Sequence, residues 1–143
     1  MYTHNVSIEA SPTADGIGVV YTSLGVLTGQ DLLDTGEHFR LESRSNPKIR
    51  YVILDHSAIP EEKVDSVSLK ALASRVSDIL EPTPEVLMAI VAPTDVLFGL
   101  SRMWETRAEQ EGFIARVTRT REEATASLEE ELTQRQLPFR PTD

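Results

Sequence analysis

The chain has no cysteine, which removes disulfide scaffolds, thiolate zinc sites, iron–sulfur ligation and cysteine nucleophiles together. Histidine is almost as scarce. His4, His38 and His56 are too far apart for any pair to share an ion by local spacing, so no metal site is expected. Positive charge is in deficit, with 14 Lys and Arg against 23 Asp and Glu for a net charge of −9. A protein that tracks phosphates needs a basic stripe to displace counterions, so nucleic acid is not expected as a partner. Long apolar runs are missing too: the longest, Val86–Ala92, has seven residues, where a membrane span takes about 20. No basic segment leads into an apolar one either, and a cytoplasmic protein with no membrane span is expected. Gly16-Ile17-Gly18 lacks the third glycine of a dinucleotide fingerprint, and no glycine-rich loop runs into a phosphate-holding lysine, so no cofactor is expected.

What is present is enough chain for one domain, 143 residues of which 40% are hydrophobic; at this length roughly two-thirds of the unfolded surface can be buried. Val6 and Ile8 alternate with polar residues, Ser11–Gly16 is dense in turn formers, and Ile17–Tyr21 reads as a returning strand, which predicts an antiparallel hairpin. Thr28 caps a helix running to about Ser43, with Leu32, Gly36 and Phe39 on one face and Asp31 in the favourable first turn, and Asn46-Pro47 ends it. The segments Ile49–Leu54 and Val86–Ala92 are nearly unbroken apolar runs, the signature of strands covered on both faces. Between them Leu69, Leu72, Ala73, Val76, Ile79 and Leu80 recur at helical spacing, closed by Pro82 and Pro84. A second stripe of Val96, Leu97, Leu100, Met103, Trp104 and Ala108 predicts another helix ending near Gly112. Phe113–Thr118 is a further strand, and Thr120 with Glu123 forms a capping box opening a last helix through Leu128 and Leu132.

The predicted order is ββαβαβαβα. This is an α/β domain over residues 1–137, with a single mixed, mostly parallel sheet of about five strands, and residues 138–143 are expected as a loose tail. In such open sheets ligands settle beyond the carboxyl ends of the strands. That selects Asp55-His56-Ser57, Asp65–Ser68, Pro93-Thr94-Asp95 and Thr118-Arg119-Thr120 as one rim. Asp55, His56 and Ser57 cannot act as a relay, because successive strand residues point to opposite faces. Thr94 and Asp95 are placed to cap a helix, or to border a ligand together with Thr118. By 100° per residue, Phe98 falls outside the apolar stripe and near Arg102 and Glu105, which makes Phe98, Arg102 and Glu105 a candidate interface, including one for a homodimer.

One stretch, Val52-Ile53-Leu54-Asp55-His56-Ser57-Ala58-Ile59 followed by Val64-Asp65-Ser66-Val67-Ser68-Leu69, resembles the STAS domains of bacterial anti-sigma-factor antagonists and of sulfate-transporter tails. Their pattern is a strand ending in Asp, a short loop, and Asp-Ser-Ser/Thr-Gly opening a helix. Ala92-Pro93-Thr94-Asp95 with Gly99, Arg102 and Met103 is similar to small bacterial STAS-like proteins. The resemblance implies a STAS-like fold and places Ser66 where the antagonists are phosphorylated by a partner kinase. It departs from the pattern at Val67, at Ser68 in place of Gly, and in the longer loop Pro60–Lys63.

Three functions follow as expectations. The first is a non-enzymatic regulatory module that docks a protein partner through the rim around Ser66, Asp65, Asp55 and Ser68. Phosphate on Ser66 would meet helix N-terminal donors but also Asp55, Glu61, Glu62 and Asp65. The second is a binder of a small molecule or lipid in an apolar cavity between helices and sheet, lined by Met88, Met103 and Trp104. The third is an enzyme using Asp55 and Asp95 as an acid–base pair, although no constellation of catalytic residues is evident.

Overall fold

A computed structural model describes residues 2–5, 8–73 and 86–142. Six strands form one sheet: β1 (Tyr2–Asn5), β2 (Ile8–Pro12), β3 (Gly18–Ser23), β4 (Tyr51–Asp55), β5 (Leu87–Val91) and β6 (Ile114–Thr118). They lie side by side in chain order. β2 runs antiparallel to both of its neighbours, β1 and β3, and β3 through β6 are parallel. The fold is therefore α/β with a mixed sheet, carrying one strand more than the sequence suggested, because Tyr2–Asn5 pairs with β2.

The helices are α1 (Gly29–Ser45), α2 (Ser66–Ala73), α3 (Asp95–Gln110) and α4 (Arg121–Gln134). The stretch 74–85, to which Val76, Ile79, Leu80, Pro82 and Pro84 belong, lies outside the described residues, as does Val6. Helix starts follow their side chains. Thr28 accepts from Asp31 N while Asp31 reaches back to Thr28 N; Thr120 and Glu123 do the same for α4, and Thr94 caps α3.

Each parallel crossover steps to the next strand in the same direction, and right-handed connections of that kind put their helices on one face. Leu69 and Leu72 of α2, Phe39 of α1 and Leu97 of α3 accordingly pack with Tyr21, Val52, Leu54, Met88 and Ile90 in the larger core. Among the described helices, α4 covers the other face, where Ala124, Leu128 and Leu132 meet Val20, Tyr51, Ile53, Leu87 and Val91. Strands β4 and β5 are thus buried on both sides throughout, which is why their sequences are apolar without alternation.

Beneath the opposite, amino-terminal ends of the parallel strands, Asp15 ties the hairpin turn to the rest. It accepts from Ile17 N, from the Tyr51 hydroxyl at 2.8 Å and from Arg140 N. Burial opposes its ionisation, but hydrogen bonds from Thr13, Arg140, Ile17 and Tyr51 more than offset this and hold the carboxyl below its ordinary range. The tail, expected to be loose, is pinned here. Asp15 N and Ala14 N donate to the carbonyls of Arg140 and Pro141, and Phe139 packs edge-on against Tyr51 with ring centroids 5.1 Å apart. Gly18 is dictated by the same ring, since a Cβ at position 18 would fall 2.3 Å from Tyr51.

Candidate functional site

At the carboxyl ends of the strands, Asp55 closes β4 and is buried. It accepts from Ser57 N at 2.9 Å and from the Arg121 guanidinium at 2.9 Å. Burial alone would raise its pKa, yet the bonds from Ser57 and Arg121 and the guanidinium charge bring it below the usual carboxylate range. Asp95 pairs instead with Arg119, at 2.8 Å. The two carboxylates hold different arginines, and Asp55 is shifted in the direction opposite to that of a general acid. Thr118 donates its hydroxyl to the Thr120 carbonyl, and Thr94 serves as the cap of α3.

Asp65 is the N-cap of α2: its Oδ1 accepts from Ser68 N. Ser68 Oγ accepts from Gly29 N at 2.9 Å and joins the starts of α1 and α2. A side chain at position 29 would strike the Ser68 carbonyl, 2.7 Å from a Cβ. Ser66 begins α2 and is exposed, as is its neighbour Val67, at 80% of its surface. Asp55, Asp65, Ser68, Thr94, Asp95 and Thr118 thus all have structural partners, while Ser66 faces solvent.

The candidate interface is corrected by the phase of α3. Glu105, expected outside, is 8% exposed, and its Oε2 accepts from Val117 N of β6 at 3.0 Å, because α3 lies along that edge strand. Phe98 is partly buried against the larger core, and the Arg119 guanidinium sits over its ring at 4.2 Å. Arg102 alone of the three is well exposed, with its Nε 3.3 Å from Glu105. Val96 and Met103, expected inside, are exposed, whereas Ser101 is buried.

The larger core is not filled. A cavity of about 60 Å³, partly open to solvent, lies between α1, α2, α3 and strands β3 to β5. Its floor includes Val52, Leu54, Met88 and Ile90; Leu32, Gly36 and Phe39 come from α1, Leu69 and Leu72 from α2, and Leu97 and Leu100 from α3. Met88 and Trp104 line it as expected, but Met103 does not. Five lining residues bring polar atoms: Tyr21, Thr35, His56, Ser101 and Trp104. The Tyr21 hydroxyl lies 2.7 Å from His38 Nδ1, and Thr35 donates to the Asp31 carbonyl. His56 does not contact Asp55 or Ser57 as in a relay; its Nδ1 is 2.7 Å from Ser23 Oγ, on the neighbouring strand. Burial pushes its pKa down to about 4, only partly opposed by the charge of Asp55, so the ring is neutral.

Sequence reasoning missed the Ser23–His56 bond, which joins positions 33 residues apart and leaves no local pattern. It also missed Ser101, for which a signal existed: a serine sits at a phase of α3 where Leu97 and Ala108 mark the buried face. No family model, curated protein or solved structure matches this chain.

Proposed function

We propose that the chain is a non-catalytic binding module of STAS-like type whose cavity beneath α1–α3 receives a small apolar molecule. The void itself carries this reading. Protein interiors are filled nearly to crystal density, and at roughly 24 cal/mol per Å³ an empty space of about 60 Å³ costs about 1–2 kcal/mol. Gly36 adds to the cost: it lines the cavity from the middle of α1, where alanine would favour the helix by about 1 kcal/mol. Two local losses at one place are what a site that admits a guest looks like. The STAS-like part of the proposal is supported by Asp55 at the end of β4 and by Asp65-Ser66 at the head of α2.

The test is xenon, an uncharged atom known to enter dry apolar cavities. Methyl NMR under xenon pressure is expected to move resonances of Leu54, Met88, Ile90 and Leu100 before others, and Gly36→Leu is expected to abolish the shifts. Uniform small shifts across all methyls, or an identical response in Gly36→Leu, would refute the reading.

A second reading, protein docking on the rim, is favoured by a separate observation. Leu24 and Val26 after β3, Val67 next to Ser66 at the start of α2, and Val96 at the start of α3 all expose apolar surface at the strand ends. In this reading phosphate on Ser66 places about two negative charges beside Asp65, Glu61 and Glu62 and weakens the docked partner. Intact-mass analysis of protein from its native cell, with pull-downs comparing Ser66→Ala and Ser66→Asp, tests it. A uniformly unmodified mass and identical captured proteins would end the switch.

A further inference from the structure

The polar atoms around the cavity are not distributed as in an ordinary core. Trp104 Nε1 is buried with no hydrogen-bond partner among the described residues. Ser101 is 7% exposed, and no bond to its hydroxyl is found among the described residues. His56 is 3% exposed and spends Nδ1 on Ser23, which leaves Nε2 without a partner among the described residues. Buried polar groups are nearly always paired, so each such group asks for an explanation. Here the Trp104 indole N–H is such a group, and Ser101 and His56 line the same cavity of about 60 Å³ beside it.

Resting on the cavity reading above, we infer that the cavity is built for an uncharged molecule with an apolar body and one oxygen function, an alcohol or a ketone, received by Trp104, Ser101 and His56. The indole N–H only donates, so the guest must present an acceptor. Ser101 can donate or accept, and His56 Nε2 takes whichever role its bond with Ser23 leaves it. An alcohol oxygen can accept from Trp104 and still give its hydrogen to Ser101. The wall disfavours a charged head group: among the described residues no Asp, Glu, Lys or Arg lines the cavity, and the imidazole is neutral. The size of the void admits the oxygen and the first carbons, with the remainder of a longer chain lying toward the open side.

The chain supplies its own reporter, because Trp104 is its single tryptophan and gives one indole N–H resonance. Titrations with hexan-1-ol, hexane and hexanoate at pH 7, followed by that resonance and by tryptophan fluorescence, separate the alternatives. Hexanol is expected to bind and move the indole proton downfield, as a new hydrogen bond requires, and to bind at least tenfold more tightly than hexanoate. Ser101→Ala is expected to weaken hexanol about fivefold and leave hexane unchanged. If hexane and hexanol both bind with the indole proton unmoved and Ser101→Ala indifferent, the oxygen site is wrong while the cavity reading stands. If hexanoate binds best, or none of the three binds although xenon does, the inference also falls; silence with xenon as well removes the cavity reading beneath it. The indole shift in the wild-type protein decides the matter even if Ser101→Ala fails to fold.

Discussion

Acidification should unfold this protein earlier than its carboxylates alone would allow, because His56 is buried uncharged. Burial holds its pKa at about 4 in the folded state, against about 6.5 in the unfolded chain. Between those values the unfolded state binds a proton that the folded state does not, so stability increases with pH across the window. The contribution is complete above pH 6.5, declines as pH falls toward 4, and levels off below that. A gap of about 2.5 units at 1.36 kcal/mol each amounts to about 3 kcal/mol. With a urea dependence of about 2 kcal/mol/M for a chain of this size, the unfolding midpoint should fall by about 1.5 M between pH 7 and pH 4. Asp15 and Asp55, both depressed, add their losses only below the unfolded carboxylate value of 3.8. Tryptophan fluorescence in urea series at pH 7, 6, 5 and 4 measures the effect, with His56→Gln as the comparison. Glutamine keeps a polar partner for Ser23 and cannot titrate, so its curve should be nearly flat over this range. Parallel curves for the two proteins would show that His56 is not the group being charged and would refute the reasoning.

Three further outcomes are expected. Gly18→Ala should destabilise by about 1–3 kcal/mol in urea unfolding, since its methyl lands 2.3 Å from a Tyr51 ring that is fully buried and held by Asp15 and Phe139; a neutral result would mean that the ring moves freely. Glu105→Ala should lower the thermal midpoint by an amount equivalent to about 1–3 kcal/mol, while Glu105→Gln, which still offers a carbonyl to Val117 N, should cost less than half as much; equal losses would contradict the role given to that bond. Phe139→Ala should cost about 1 kcal/mol and speed hydrogen exchange at the Asp15 and Arg140 amides, and unchanged exchange would show that the tail is held by other contacts.

The sequence conveyed the architecture wherever one physical rule acted alone. Runs such as Val52–Leu54 and Leu87–Val91 admit little besides a strand buried on both faces, and capping pairs such as Thr120 and Glu123 mark helix starts by chemistry that needs only three residues. Helix α3 was legible as a helix but not in its rotation. Leu97, Leu100 and Trp104 were placed correctly, but apolarity could not tell that Ser101 and Glu105 face inward while Val96 and Met103 face out. Burial of Glu105 is helped by an N–H that an edge strand offers it, beside the Arg102 guanidinium, and edges are a property of the assembled sheet. The site suffered the same limit. Asp55 and Thr94 were recognised as strand-end and capping residues, whereas the cavity is an absence of atoms, which no residue announces. Its polar lining joins Ser101 and Trp104 on one helix to His56 beyond β4, a grouping made by the crossovers.

The bond from Val117 to Glu105 has a consequence outside the monomer. A sheet ends wherever its outermost chain still offers donors and acceptors to whatever drifts by, and such a border invites stacking of one molecule upon the next. On the β6 flank one of those donors is already engaged by a carboxylate from the same chain, with the positive end of Arg102 beside it. An incoming strand would have to displace an ion pair before forming its first rung there. Replacing Glu105 is therefore expected to be felt in crowded solution, as greater light scattering, as well as in the melting curve.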